Sequence, residues 1–485
     1  MRAFIESIFG PDRELPRWLR CVLWASLAVL VIAYFSAAVE HGKTQNTIYD
    51  RNDQRVYMDY ARNMRETRYD VFVTRMRMPM FMGLLSLAAT PQQSDEDFFP
   101  VAQKFSIGLS LVCLGALFFA LRRWLGTGIG WCFVLTAAGQ VYLYRAPYVQ
   151  PELTLTTIIT ITVAWLAYTL RNPKWQNALV TGLLLCAWFF TKASAQIALG
   201  LFGAFLGLKW LLASHGKKMP FIVCGLVTLA AYLVPMSPYL WTSYKLFGDP
   251  FYNVQGKYYM WCNESDNETV DRKQDEKHML QKAGLDRNLD ILMDIPKLNN
   301  TEFRAKYKDL NVDPDALRKL VQNLPSAGRY WREHSWKEVE QRLSNGMRLM
   351  FRAAFNEYTA LYFMIAVWAG IALWAMALHW PEALAGLLRW RWELFFVTVL
   401  VASFAYLFGW FVPLKAGPRL INSVALVPVF FAAALTHHLL RGKTTRVLGS
   451  ELSVEKLFVF AFVIGWAVLT IFDVPPNLQQ EYFGG

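Results

Sequence analysis

Charge is scarce in this sequence. Asp, Glu, Lys and Arg make up 18% of its 485 residues, below the roughly 25% that soluble domains carry. So little charge does not suit a water-facing surface on a chain of this length. Cysteine is scarcer still: six, at 21, 113, 132, 186, 224 and 262. All but Cys262 fall inside or at the edge of apolar runs, which leaves no pair for an extramembrane disulfide and no CxxC metal pattern. The seven histidines are scattered and form no cluster for a tightly held metal. There is no Gly-rich loop of the kind that cradles nucleotide phosphates, no internal repeat and no low-complexity segment.

What the sequence has instead is apolar length. Hydrophobic residues make up 55%, with 19 Trp, 21 Tyr and 34 Phe. Long apolar runs recur, so the expected fold is an all-α polytopic membrane protein. Spans are expected near Leu19–Val39, 103–121, 127–144, 152–170, 177–191, 195–212, 220–240, 357–378, 393–412, 420–440 and 456–473, about eleven in all. Basic residues precede the first run and no small-residue cleavage site follows it, which reads as an uncleaved span. The net charge of +12 does not point to nucleic acid, because many of the basic residues sit in short loops between spans. Alternate short loops carry Arg122-Arg123, Arg171 and Lys174, Lys217-Lys218, Arg389 and Arg391, and Arg441, Lys443 and Arg446. By the positive-inside rule these are cytoplasmic. Two long stretches, 40–101 and 241–352, then face outward, to the periplasm in a bacterium.

The first outward loop is unusually rich. Val56, Tyr57, Tyr60, Ala61 and Met64 share one helical face; Arg55, Asp59, Arg62, Asn63 and Glu66 share the other. Such a helix can lie in the interface plane with its aromatic side toward the membrane. Asp53 stands at its start, either as a cap for a free backbone N–H or as a carboxylate held for chemistry. Pro79 disfavours helix at Met78, which puts Arg77 on extended backbone. A second interfacial helix is expected over Leu84–Ala89, and Asp95-Glu-Asp97 reads as a solvated edge.

Glu152 falls in the first turn of the 152–170 span, where a carboxylate complements the helix dipole or serves as a second site carboxylate. Outside the two long loops the outward face has few cations: Arg145, Lys192, Lys415 and Arg419, each at the end of a span. Each can snorkel to headgroups. Together with Arg75 and Arg77 they suggest an anion site at the outer surface. The stretch from Gly256 to Arg352 is polar and helix-permissive, long enough for a small extramembrane domain. Its Cys262-Asn-Glu-Ser-Asp-Asn-Glu-Thr run holds two N-x-[ST] patterns.

Taken in order, these pieces resemble the GT-C membrane glycosyltransferases, and more closely glycosyltransferase family 39, the group of protein O-mannosyltransferases and lipid A aminoarabinose transferases. The matching residues are Asp53, Tyr57 and Ala61, Arg77-Met-Pro79, Gln150-Pro-Glu152, Thr191-Lys192, the SPYLWTSYKLFGDP stretch, and Pro418-Arg419-Leu with Pro428. Where the family often has a second adjacent acidic residue, Asp53 is followed by Gln54.

The resemblance implies a GT-C-like module over 1–240 with its catalytic loop at 40–101, an outward loop or small domain over 241–355, and C-terminal spans over 356–485. It implies transfer of a sugar from a polyprenyl-phosphate donor to a glycan, lipid or protein acceptor in the bilayer of a bacterial inner membrane, with inversion. Asp53 is the implied base, with Glu152 the second carboxylate candidate. Arg77, Lys192, Arg419 and Arg75 are the implied donor-phosphate ligands, supported by Tyr57 and Arg145. Room is left for a divalent metal, Mg or Mn, between Asp53 and Glu152. A lipid-linked sugar transporter or flippase is a rival, but would place ionisable residues in mid-span. Another envelope glycan polymerase or ligase shares the acid–base logic, and a non-catalytic scaffold is the remaining rival.

Overall fold

The computed structural model describes residues 6, 8–10, 16–50, 53–66, 77–214, 218–253, 327–357, 359–411, 423–447 and 450–471. In chain order the helices are α1 (Arg17–Gln45), α2 (Gln54–Glu66), α3 (Pro79–Leu85), α4 (Asp95–Ala137), α5 (Glu152–Arg171), α6 (Trp175–Thr191), α7 (Ala195–Leu212) and α8 (Met219–Phe247). They continue as α9 (Ala327–Glu333), α10 (Trp336–Glu357), α11 (Thr359–Leu378), α12 (Trp380–Arg389), α13 (Arg391–Phe411), α14 (Leu426–Leu440) and α15 (Val454–Ile471). A short antiparallel hairpin, β1 (Thr444–Val447) with β2 (Ser450–Ser453), pairs Thr444 with Ser453 ahead of α15.

The bundle is built around α5. Its sequence is apolar on every side, and a helix of that kind belongs in the interior. Residues from Leu153 to Leu170 are buried on all faces, and α4, α6, α7, α13 and α14 pack around them. Four of its threonines fit there because they turn their hydroxyls back to the preceding turn. Thr156, Thr157, Thr160 and Thr162 donate to the carbonyls of Glu152, Leu153, Thr156 and Ile158 at 2.6–2.8 Å. Beside α5, α6 and α8 approach closely at Gly182, where a Cβ would lie 2.5 Å from the Thr228 carbonyl oxygen.

The expectation of about eleven spans does not hold. Among the described residues five helices are long and apolar enough to cross a membrane, or six if one bent pair counts as a single span. The stretch Asp95–Tyr142, which holds sequence runs 103–121 and 127–144, is two helices that meet at a break at Gly126 (φ 64°, ψ 176°), where the Phe118 and Trp131 ring centres lie 4.5 Å apart. Only a glycine adopts that backbone without strain, and His437 fills the space a side chain would need. The runs at 177–191 and 420–440 form helices of 17 and 15 residues, short of the roughly 20 residues that a straight span needs. In the 357–378 run, α11 bends by 114° into α12. Apolar runs count hydrophobic segments; they do not report a helix that stops a turn early.

Two boundaries also move. The candidate first span is Trp24–Gln45 rather than Leu19–Val39, so 40–45 are helix and not loop. The second helix of the first loop is Pro79–Leu85, earlier than Leu84–Ala89, because Pro79 supplies its first residue and extended Met78 its start. Of the 241–355 stretch, 254–326 lie outside the described residues. Its C-terminal part docks on the bundle: α10 packs on α13, and fully buried Arg342 donates to the Trp410 carbonyl at 3.3 Å between the Tyr330 and Trp410 rings.

Candidate functional site

The site lies at the end of the bundle where α5 begins. Its frame is a set of buried amides. Asn46, just past α1, and Gln54, at the start of α2, are both fully buried and exchange two hydrogen bonds of 2.9 Å through their side-chain amides. Gln54 Oε1 also accepts from the Val149 N–H at 2.9 Å, and Asn46 Nδ2 donates to the Pro147 carbonyl at 3.0 Å. Gln103 of α4 donates to the Asn46 carbonyl at 2.7 Å. The end of α1, the start of α2 and the turn leading into Glu152 are therefore one hydrogen-bonded unit.

The aromatic face of α2 is buried on protein and not laid on the membrane. Tyr57, Met58, Tyr60 and Ala61 pack against Phe81, Met82 and Leu85 of α3 and Phe98, Phe99 and Ala102 of α4. The polar face is also partly enclosed. Asp95 ion-pairs with both Arg62 and Arg55, so it is not a solvated edge. Arg62 also holds Asp59 at 2.5 Å and donates to the Gln93 carbonyl. Burial pushes the Asp59 carboxyl up to about 6 against the opposing pull of Arg62. Ser94 caps α4, accepting from the Asp97 N–H at 3.1 Å.

Asp53 sits at the N-cap of α2, where the Tyr57 N–H donates to its carbonyl at 3.2 Å. Its carboxylate meets Arg77 at 2.8 Å, the arginine side chain being 12% exposed and the aspartate 27%. The guanidinium lies 6.0 Å from the Tyr57 ring centre, and that ring meets Phe81 edge-on at 5.5 Å. Burial acts to lower the Arg77 pKa, but Tyr57, Asp53 and Tyr60 outweigh it and push it up, so Arg77 stays a cation. The Arg77–Pro79 corner is then gripped through sulfur. Met78 Sδ accepts from Tyr239 OH at 3.8 Å and Asn253 Nδ2 at 3.6 Å, and Met80 Sδ from Thr191 Oγ1 at 3.1 Å. That last contact sets Lys192, the residue after Thr191, at the same end of the bundle.

Glu152 heads α5, half-buried, and its Oε2 is a buried oxygen with no hydrogen-bond partner; Gln150 Nε2 is a buried donor in the same condition. Arg145 stands in the turn just before, its N–H donating to the Tyr142 carbonyl at 3.1 Å. Of the expected site residues the structure joins Asp53, Arg77 and Tyr57 directly. The amide unit ties Asp53 to the turn that carries Arg145 and Glu152. Arg75, Lys415 and Arg419 lie outside the described residues. Among the described residues no three His, Cys, Asp or Glu side chains come together as metal ligands, and Asp53 is engaged by Arg77.

Asn46 and Gln54 escaped the sequence reading, although a polar amide at the end of an apolar helix and another where a carboxylate was expected were signals of a buried contact. A second missed pair lies at the opposite end of α5, where Lys209 of α7 donates to the Leu170 carbonyl at 2.9 Å and ion-pairs with Glu393 of α13.

No protein-family model matches the chain, and no curated protein matches it. Solved structures do. The Archaeoglobus fulgidus oligosaccharyltransferase in complex with zinc and sulfate matches 94% of this chain and 53% of its own, with a TM-score of 0.50 at 14% identity. The same enzyme tethered to an acceptor peptide containing the NVT sequon matches 94% of this chain and 56% of its own, with a TM-score of 0.51 at 13% identity. ArnT from Cupriavidus metallidurans bound to undecaprenyl phosphate aligns over 88% of this chain and 78% of its own, but at a TM-score of 0.30, which carries no weight. The chain spans about half the length of the oligosaccharyltransferase structures. At these identities the likeness is one of fold alone: the multi-pass helical bundle shares its architecture with the matched part of the oligosaccharyltransferase structures.

Proposed function

We propose that the chain is a membrane glycosyltransferase that moves a sugar from a polyprenyl-phosphate donor to a cell-envelope or protein acceptor. The observation that carries this reading is the Asp53–Arg77 pair, a carboxylate and a lasting cation 2.8 Å apart at the end of the bundle headed by Glu152. The reaction needs both charges. The acceptor hydroxyl or amine gives its proton to a carboxylate as it attacks the anomeric carbon. The bond from that carbon to the donor phosphate breaks, and the lipid phosphate leaves with the electron pair. A guanidinium has five N–H donors in a fixed fork, so Arg77 can take phosphate oxygens on the side turned away from Asp53. A single displacement inverts the anomeric carbon.

In this reading Asp53 is the base and Glu152, with its unpartnered oxygen, is the second carboxylate facing the acceptor. Lys192, Arg145, Arg75 and Arg419 add positive charge around the phosphate, and Tyr57 supports the Arg77 guanidinium. The lipid tail lies along a groove between helices. The short basic loops turn this end to the periplasmic side of a bacterial inner membrane. Residues 1–240 form the transferase module, 241–355 an outward loop or small domain, and 356–485 the helices that close the bundle.

The test is release of polyprenyl phosphate from synthetic polyprenyl-phosphate sugars by purified protein with an envelope extract, wild type beside Asp53→Asn. We expect wild type to turn over, and the variant to bind donor but slow by about a thousandfold, the scale of a lost general base. Equal rates in both would remove Asp53 from the chemistry. No release by wild type under any acceptor mixture would remove the transferase reading.

A further inference from the structure

We propose that Gln54 is a positioning residue for the reaction, holding Asp53 in place against the turn that delivers Glu152; this rests on the transferase reading above. Gln54 is fully buried and uses both ends of its amide. Oε1 accepts from Asn46 Nδ2 and from the Val149 N–H, each at 2.9 Å. Nε2 donates to Asn46 Oδ1 at 2.9 Å and to the Ile48 carbonyl at 3.3 Å. The residue before it is Asp53, and Val149 lies three residues before Glu152. One side chain thus fixes the base's backbone to the segment bearing the second carboxylate, across a sequence separation of 95 residues.

A carboxylate cannot do this. It accepts only, so it can serve Val149 and the Asn46 amide nitrogen but leaves Asn46 Oδ1 and the Ile48 carbonyl without their donor. The amide at 54 is therefore suited to holding the two strands of the site together, not to chemistry. A displacement of about 1 Å between reacting groups costs on the order of a hundredfold in rate, and that is the loss expected when the bond to Val149 goes.

The experiment compares wild type with Gln54→Met and Gln54→Glu, and with Tyr34→Phe as a control that removes a partly buried α1–α4 hydrogen bond (2.9 Å, to Ser110) elsewhere. Three quantities are read: release of polyprenyl phosphate from the synthetic donor, binding of polyprenyl phosphate, and hydrogen exchange at the Val149 amide. For Gln54→Met we expect kcat down about a hundredfold, binding within about threefold, and Val149 exchanging at least about tenfold faster. Tyr34→Phe should leave all three within about threefold of wild type. Gln54→Glu keeps the acceptor, so Val149 should stay protected while kcat falls about tenfold; it carries the test should the methionine variant not fold. Full kcat in either Gln54 variant, or a loss in Tyr34→Phe matching theirs, overturns the positioning role and leaves the transferase reading standing. Wild type that releases no polyprenyl phosphate brings down both readings together.

Discussion

Two ion pairs stand at the two ends of α5, and they are built to different standards. At the Arg171 end, Glu393 is 3% exposed, and Lys209 answers it while also donating to the Leu170 carbonyl. At the Glu152 end, Asp53 and Arg77 meet at 2.8 Å but keep one edge open, and in the turn that the buried amides tie to Asp53, Glu152 Oε2 and Gln150 Nε2 are buried without partners. Ionisable groups inside a membrane protein are read as functional by default. The contrast refines that rule: a pair that is sealed and satisfied holds helices together, whereas the pair with an open edge is the one the proposed function assigns to a ligand.

The comparison breaks most directly at Lys209. Lys209→Met leaves Glu393 buried and unpaired, and should cost about 3–5 kcal/mol of stability. The double variant Lys209→Met with Glu393→Leu should recover most of that loss, since two apolar groups replace a buried pair at little cost. Thermal unfolding in detergent checks both, and transfer per folded molecule should match wild type. A double variant that folds but does not transfer would make this end part of the chemistry.

Glu152→Gln probes the other end. If Glu152 serves only the helix dipole, losing its charge costs about 0.3–1 kcal/mol and leaves transfer intact. We expect the reverse: stability held or improved, because a buried oxygen no longer carries charge, and transfer down about a hundredfold. Measuring melting temperature and turnover on one preparation separates the two.

The same contrast shows what the sequence could and could not carry. Asp53, Arg77 and the aromatic face of α2 were legible because helical spacing and a proline fix local geometry. The tie from Gln54 to Val149 and the Lys209–Glu393 pair were not, because those partners lie 95 and 184 residues apart. Local pattern says nothing about which segments meet. Asp95 was misread for that reason: three acidic residues in a row look solvated until Arg55 and Arg62 arrive from α2. The span count failed differently. Hydrophobicity reports that a segment prefers lipid or core, and α5 is largely apolar because it is central; it does not report where a helix stops short, as α6 and α14 do at 17 and 15 residues.

A third charged group tests whether the open and sealed ends are the only two kinds. Asp59 lies on the same helix as Asp53, held by Arg62, yet burial raises its carboxyl to about 6. A raised carboxyl pKa means the folded state binds the proton more tightly than the unfolded chain. Stability from this group is therefore greatest below the ordinary carboxylate range and is lost as pH rises to about 6. This is opposite in sign to a carboxylate stabilised by its ion pair. Two pKa units correspond to about 2–3 kcal/mol at most. Melting temperature measured between pH 4 and pH 7 should fall with rising pH by an amount that Asp59→Asn abolishes, because Asn carries no charge to desolvate. A wild-type profile that instead rises with pH, and flattens in the variant, would mean that Arg62 and Arg55 outweigh burial. The Asp59 cluster would then be a sealed structural pair like Lys209–Glu393.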